Sequence, residues 1–179
     1  GHPRFIRTVQ LLFRIAMREA SEGREGRAIP IWGTCGDFQM LSILAAGWNA
    51  SVITQGAFDS VDYMANLRPT ADTARTRLFA SMPTEVRRTL LHGNATLNSH
   101  VDGLTLPMLR ANGRLAAFWR AAATSVDRNG NEFVTLLEAR NGKMPIFGSQ
   151  FHPEKSMAEF YENRNDPHND EEVAAAQWL

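Results

Sequence analysis

From Ile29 to Gln39 the chain reads Ile-Pro-Ile-Trp-Gly-Thr-Cys-Gly-Asp-Phe-Gln, an apolar strand, then glycine, cysteine and glycine, then the start of an apolar helix that the pattern extends from about Asp37 to Ala46. A strand that gives way to a helix over so few residues must turn sharply, and small neighbours let the chain fold back there. The residue at the apex is held at the carboxyl end of the strand, with the amino end of the helix pointing at it. Free N–H groups and the helix dipole favour negative charge at that point, so a cysteine there is disposed toward the thiolate. The N–H of Gly36 would face an oxyanion formed on attack. Cys35 is the single cysteine. An internal disulfide is therefore excluded, and two readings stay open: a reactive thiol, or a small buried apolar residue at a strand end.

The surrounding pattern is that of an α/β domain with a parallel sheet. Phe5, Val9, Leu12, Phe13, Ala16 and Met17 recur at three- and four-residue steps from Pro3 to Ala20, one face of an amphipathic helix that the segment SEGREG ends. A short strand is expected from Ala28 to Trp32. Gly56 to Thr76 reads as an irregular polar excursion, and Ser81-Met82-Pro83-Thr84-Glu85 as the hydroxyl-capped start of a helix running to about Leu91. Ala121 to Val126 and Phe133 to Ala139 flank Asp127-Arg128-Asn129-Gly130-Asn131, a hairpin signal. Asn141-Gly142 turns into the run Met144 to Phe151; the tail from Asn163 to Glu172 is polar, and VAAAQWL begins a last helix.

Composition narrows the function classes. With 44% hydrophobic and 21% charged residues the chain is an ordinary globular one, and 179 residues suffice for one sizeable core. Lysine plus arginine equals aspartate plus glutamate at 19 each, so no net field draws it to nucleic acid or an anionic membrane. No apolar stretch approaches the roughly 20 residues that span a bilayer. The opening, GHPRFIRTVQ, is neither a signal peptide nor an initiator-methionine start, and is read as the result of processing. Asn49-Ala50-Ser51 and Asn94-Ala95-Thr96 are sequons, whose glycosylation depends on entry into the secretory pathway.

A second motif bears on Cys35. The run Pro145 to Phe151 delivers His152 at its end, Pro153 is expected to turn the chain away from a helix, and Glu154 lies two residues on, able to accept from the imidazole and fix its tautomer. A histidine alone is more often structural. A cysteine and a histidine at two strand ends, however, converge where open α/β sheets hold their ligands.

Gly33-Thr34-Cys35 with Gln39, and Phe151-His152-Pro153-Glu154, resemble the nucleophile and histidine–glutamate motifs of class I glutamine-amidotransferase-like proteins. Within that superfamily the chain is similar to the γ-glutamyl hydrolases, the folate-polyglutamate-trimming cysteine peptidases. Pro-Ile-Trp-Gly-Thr-Cys, Lys155 after the glutamate, Glu159-Phe160 with Pro167-His168, and Asn98-Ser99-His100 point the same way. The resemblance implies a three-layer α/β/α flavodoxin-like fold with a mainly parallel central sheet, one catalytic domain over residues 1–179, and no metal or cofactor. It implies Cys35 as nucleophile, His152 as general base and then acid, and Glu154 as orienter. Gly36, Gln39 and His100 become substrate or oxyanion residues, although Gln39 also reads as a residue that holds the site's shape or as a capped first-turn side chain, and His100 as a structurally bonded loop histidine. His168 is placed beside the site or in a solvated loop, and His2 and His92 have no role. Arg75, Thr76 and Arg77 are candidates for substrate carboxylates, with a solvated face as the plainer reading. The implied setting is lysosomal, vacuolar or secreted, and the implied substrate a small γ-glutamyl conjugate such as a folyl polyglutamate.

Two departures qualify this. Asp37 stands where the superfamily has glycine, and its charge opposes a neighbouring thiolate. The resemblance implies early strands and a glycine-rich oxyanion loop ahead of the nucleophile strand, where this sequence shows a single helix before Cys35, and its end is read as falling within the family's final helix. The exposed sheet edge is expected to be covered by a companion segment or a second copy. The competing readings are a glutamine amidotransferase subunit with the same three groups, and a catalytically silent homologue or fragment acting as a binding module.

Overall fold

The structure is a computed structural model that describes residues 3–22, 29–159 and 168–179. Helix α1 (Pro3–Ser21) leads to strand β1 (Ile31–Thr34) and helix α2 (Gly36–Ala45). Strands β2 (Ser60–Ala65) and β3 (Arg68–Pro69) precede helices α3 (Arg77–Ser81) and α4 (Thr84–His92) and strand β4 (Thr96–His100). Helices α5 (Leu106–Ala111) and α6 (Gly113–Phe118), strands β5 (Trp119–Val126), β6 (Glu132–Ala139) and β7 (Ile146–Ser149), and helices α7 (Pro153–Ala158) and α8 (Asp170–Trp178) follow.

A five-stranded sheet in the order β1-β7-β6-β5-β3 forms the centre, and β2 and β4 make a separate two-stranded antiparallel sheet. The α/β expectation holds, but the mainly parallel sheet does not. Among the described residues β1 pairs parallel with β7, whereas β7 with β6, β6 with β5, and β5 with β3 are antiparallel. The reason is connection length. A tight turn joins β5 to β6 and a short link joins β6 to β7, and links this short can close only antiparallel neighbours. Of the two pairs joined by long stretches of chain, β1–β7 runs parallel and β3–β5 antiparallel.

Helices pack on both faces of the central sheet. On one side Phe13 and Ala16 of α1, Phe38 and Leu41 of α2, and Leu115 of α6 meet Trp119, Val134, Leu137 and Ile146. On the other, Phe79 of α3, Leu90 of α4 and Ala175 of α8 meet Ala122, Leu136 and Phe151. Consecutive Leu136 and Leu137 thus serve opposite layers, as the period of two in a strand requires. In α1 the apolar face is only partly used: Phe5 and Leu12 are exposed at 47% and 41%. No helix among the described residues is long and apolar enough to cross a membrane.

Other expectations need correction. The excursion at 56–76 is not irregular throughout: it holds β2 and β3, and Arg128 clamps it by donating to Asp59 Oδ1, Val61 O and Asp62 O while lying over the Tyr63 ring. Its polar sequence hid a two-stranded pairing whose partner lies far downstream. Ser81 does not cap α4; its hydroxyl donates back to Arg77 O, and Pro83 precedes α4 without a side-chain cap. Pro153 starts a helix instead of preventing one. Proline at a first helical position gives up an N–H that has no partner there, and it is the preceding residue, His152 at φ −109 and ψ 82, that is held out of the helical region. The strand start at Ala28, most of SEGREG, His2, Phe160, Pro167 and the early part of the polar tail lie outside the described residues.

Candidate active site

The turn at Cys35 is set by two close approaches. A Cβ added to Gly33 would lie 2.6 Å from Leu41 Cδ1 and 3.0 Å from the backbone of Asp37, and one on Gly148, its neighbour in register, would lie 3.1 Å from Phe38 and 3.2 Å from Gly33 O. Both glycines let α2 settle against β1 and β7. Gly36 is different: a Cβ there would meet nothing within 4 Å, so the small neighbour expected after the cysteine is not sterically required. Cys35 itself takes the strain, at φ 50 and ψ −102, a conformation that costs a non-glycine residue about 1–3 kcal/mol. Its N–H donates to Ser149 O at 2.8 Å, one step beyond the β1–β7 ladder, which ties the apex to the end of β7.

Parallel pairing brings two carboxyl ends side by side. Beyond β7 the chain continues as Gln150, whose N–H donates to Thr135 O, and reaches His152, whose N–H donates to Leu97 O on β4. His152 lines the same cleft as Cys35, close enough for the two groups to interact, and its Nδ1 lies 2.6 Å from Glu154 Oε1. With Nδ1 engaged by the carboxylate, Nε2 is the nitrogen left for the thiol. Burial works against the imidazolium, but the hydrogen bonds and charges of Cys35 and Glu154 outweigh it and raise the His152 pKa to about 9. Glu154, on the first turn of α7, is held below the usual carboxylate range: burial opposes this, and the His152 hydrogen bond prevails.

An open cleft of about 420 Å³ lies over this pair, lined by Phe5, Thr34, Cys35, Gly36, Asp37, Met40 and His152. The sequence pattern placed Phe5 on the buried face of α1 and so missed it as a cleft wall. Asp37 also borders a second, smaller cavity with Val9, Leu12, Ile31 and Trp32, and burial raises its pKa.

Gln39 and His100 come close to the site but do not line the cleft. Gln39 Nε2 donates to Asp102 O at 2.9 Å and to Gln150 Oε1 at 3.3 Å. The same Asp102 carbonyl lies 2.9 Å from His100 Nδ1, and since a carbonyl only accepts, that nitrogen carries the proton. His100 is 5% exposed, with Phe133 and Phe58 edge-on to its ring; burial lowers its pKa to about 4, so it is neutral, and its Nε2 is buried without a partner among the described residues.

The candidate arginine cluster is not part of this arrangement. Arg77 donates to the buried Glu138 carboxylate and to Gly142 O and Met144 O, at the opposite end of β7, and Thr76 is buried with its hydroxyl donating to Thr73 O. These residues anchor α3. His168 Nδ1 lies 3.0 Å from Ser156 O on α7, and His92 ends α4 at the surface. Among the described residues no group of three or more His, Cys, Asp or Glu is placed to hold a metal ion. Gln150 and Asp102 went unread in the sequence. For Gln150 a signal existed: a polar residue inside an otherwise apolar run, two positions before the histidine.

Fold and site define a class, that of α/β proteins with a cysteine on a strained strand-to-helix turn beside a histidine–glutamate pair. No family model matches the chain. It is similar to γ-glutamyl hydrolase of Rattus norvegicus, 28% identical over 178 residues that cover 99% of this chain and 53% of the relative. The match to γ-glutamyl hydrolase B of Dictyostelium discoideum is 28% over 155 residues, 86% of this chain and 43% of the relative. For γ-glutamyl hydrolase of Homo sapiens it is 33% over 136 residues, 76% and 41%. The chain belongs to the γ-glutamyl hydrolase family, and it spans about half the length of the curated relatives it matches.

Proposed function

We propose that this chain carries the catalytic centre of a cysteine-dependent γ-glutamyl hydrolase acting on γ-linked glutamyl amides such as folate poly-γ-glutamates. The observation that carries the reading is His152, paired with Glu154 and sharing with Cys35 the lining of one open cleft. Because the His152 pKa is raised to about 9, its imidazole carries the proton at neutral pH. In this reading His152 serves as the acid of the acylation step. The Cys35 thiolate attacks the amide carbonyl, and the first N–H groups of α2, from Gly36 on, have no partner one turn back and face the oxyanion. His152 protonates the leaving amine as the C–N bond breaks, then as a neutral base takes a proton from the water that cleaves the thioester. Glu154 keeps the ring in one tautomer throughout.

In this reading the protein works in a lysosomal, vacuolar or secreted setting, and a companion segment or second copy covers the outer edge of β1, the terminal strand of the central sheet. One observation favours a second reading, a silent homologue: Asp37 puts a carboxyl group in the cleft wall beside the thiol. Incubation of the chain with folate pentaglutamate, followed by chromatography beside a Cys35→Ala control, separates the two. Shortened products that disappear in the control are expected. Absence of cleavage, or equal cleavage by the control, overturns the hydrolase reading.

A further inference from the structure

Gln150 is fully buried, and its Nε2 lies 3.6 Å from Cys35 Sγ. Which end of a side-chain amide faces a neighbour is fixed by the surrounding hydrogen bonds, and here the chain of bonds starts from an atom without ambiguity. The Asp102 carbonyl can only accept, so the Gln39 atom 2.9 Å away is the amide nitrogen. That nitrogen is 3.3 Å from the other end of the Gln150 amide, which must then be the oxygen. The Gln150 NH₂ group is left facing the sulfur. Rotating the Gln150 amide would set two NH₂ groups against each other and turn a carbonyl toward the thiol.

On the reading of Cys35 as nucleophile, we propose that Gln150 is a catalytic residue whose side-chain N–H donates to the Cys35 thiolate, and that Gln39 is the positioning residue that holds this amide in its donating orientation. A hydrogen bond to an ionised acceptor is roughly twice as strong as one between neutral groups, so an N–H aimed at sulfur favours the thiolate over the thiol. Ser99 O, 4.0 Å from the sulfur, can receive only an S–H and favours the thiol. Gln150 opposes it from a fully buried position, where water cannot take over the donor's role. The same donor serves the second half of the reaction. When water attacks the thioester, the C–S bond breaks, its electron pair returns to sulfur, and the departing thiolate meets an N–H already in place.

The test is the rate of Cys35 alkylation by iodoacetamide as a function of pH, in the full chain, for the wild type, Gln150→Leu and Gln39→Met. Near-UV circular dichroism of the tryptophans reports folding of each variant. The midpoint of the alkylation profile is expected to rise by about one pH unit in Gln150→Leu, and by less in Gln39→Met, where the amide keeps its NH₂ but loses its orientation. A folded Gln150→Leu with an unchanged or lower midpoint overturns the proposal. Should that variant fail to fold, Gln39→Met decides, an upward shift supporting the proposal and an unchanged profile overturning it. Alkylation needs no peptide cleavage, which keeps the two ideas apart. A shifted profile in a chain that does not cleave pentaglutamate removes the hydrolase reading alone, and an unshifted profile in a chain that does cleave removes the donor role alone.

Discussion

At the scale of single residues, His152 is balanced between burial, which disfavours its charge, and two partners that favour it, and the partners prevail. Glu154 is one of those partners, so Glu154→Gln keeps the shape but removes the charge. In that variant the alkaline limb of the kcat/KM profile, expected near pH 9 where the His152 proton is lost, moves down toward the ordinary histidine value of 6.5. The value of kcat falls by about 10²-fold, the low end of what a positioned acid–base group contributes. A pH–rate profile on the polyglutamate substrate checks both. The roles proposed for Cys35, His152 and Glu154 were legible as motifs because each pairs a residue type with a turn signal in the same few positions. The link from Asp102 through Gln39 to Gln150 was not, because it runs between a loop, a helix and a strand end; the sequence marked Gln39 only as a candidate and Gln150 only as a polar residue in an apolar run.

At the scale of elements, the elbow depends on how closely α2 approaches β1. Gly33→Ala puts a methyl group within 2.6 Å of Leu41 and against the Asp37 backbone, and is expected to destabilise the fold by about 1–3 kcal/mol, the range for overpacking. Gly36→Ala meets open space and should leave stability within about 0.5 kcal/mol of the wild type. Urea unfolding of the two variants side by side tests the contrast. The β5–β6 hairpin rests on Asp127, whose carboxylate accepts from the N–H groups of Asn129, Asn131 and Asp59 and from Asn131 Nδ2. Asp127→Ala removes all four acceptor contacts, and a loss of about 3 kcal/mol is expected in the same assay, as for hydrogen bonds to a buried charge. The hairpin was readable from its Asn-Gly turn, since such a turn is local. Strand β2 was missed because its partner β4 lies across the fold, and β propensity reflects packing context more than the strand's own residues.

At the scale of the whole molecule, the site ties stability to pH. The folded-state pKa of His152 lies above its ordinary value, so its contribution is fully present below about 6.5 and is lost as pH rises through about 9. Comparing urea midpoints of the wild type and His152→Gln at pH 6 and pH 10 isolates this group: the wild-type advantage at pH 6 is expected to be gone at pH 10.

The sequence by itself determined the local units, namely the amphipathic first helix, the strand–cysteine–helix turn, the Asn-Gly hairpin and the histidine–glutamate spacing. Each of these follows from side-chain period, turn chemistry or steric size within a few residues. Only the tertiary structure decided that the central sheet is mixed, that Arg77 serves Glu138 and not the cleft, that Phe5 walls the site, and that Gln150 faces the sulfur. Those outcomes depend on which distant segments pair and in which direction, and no local pattern carries that information.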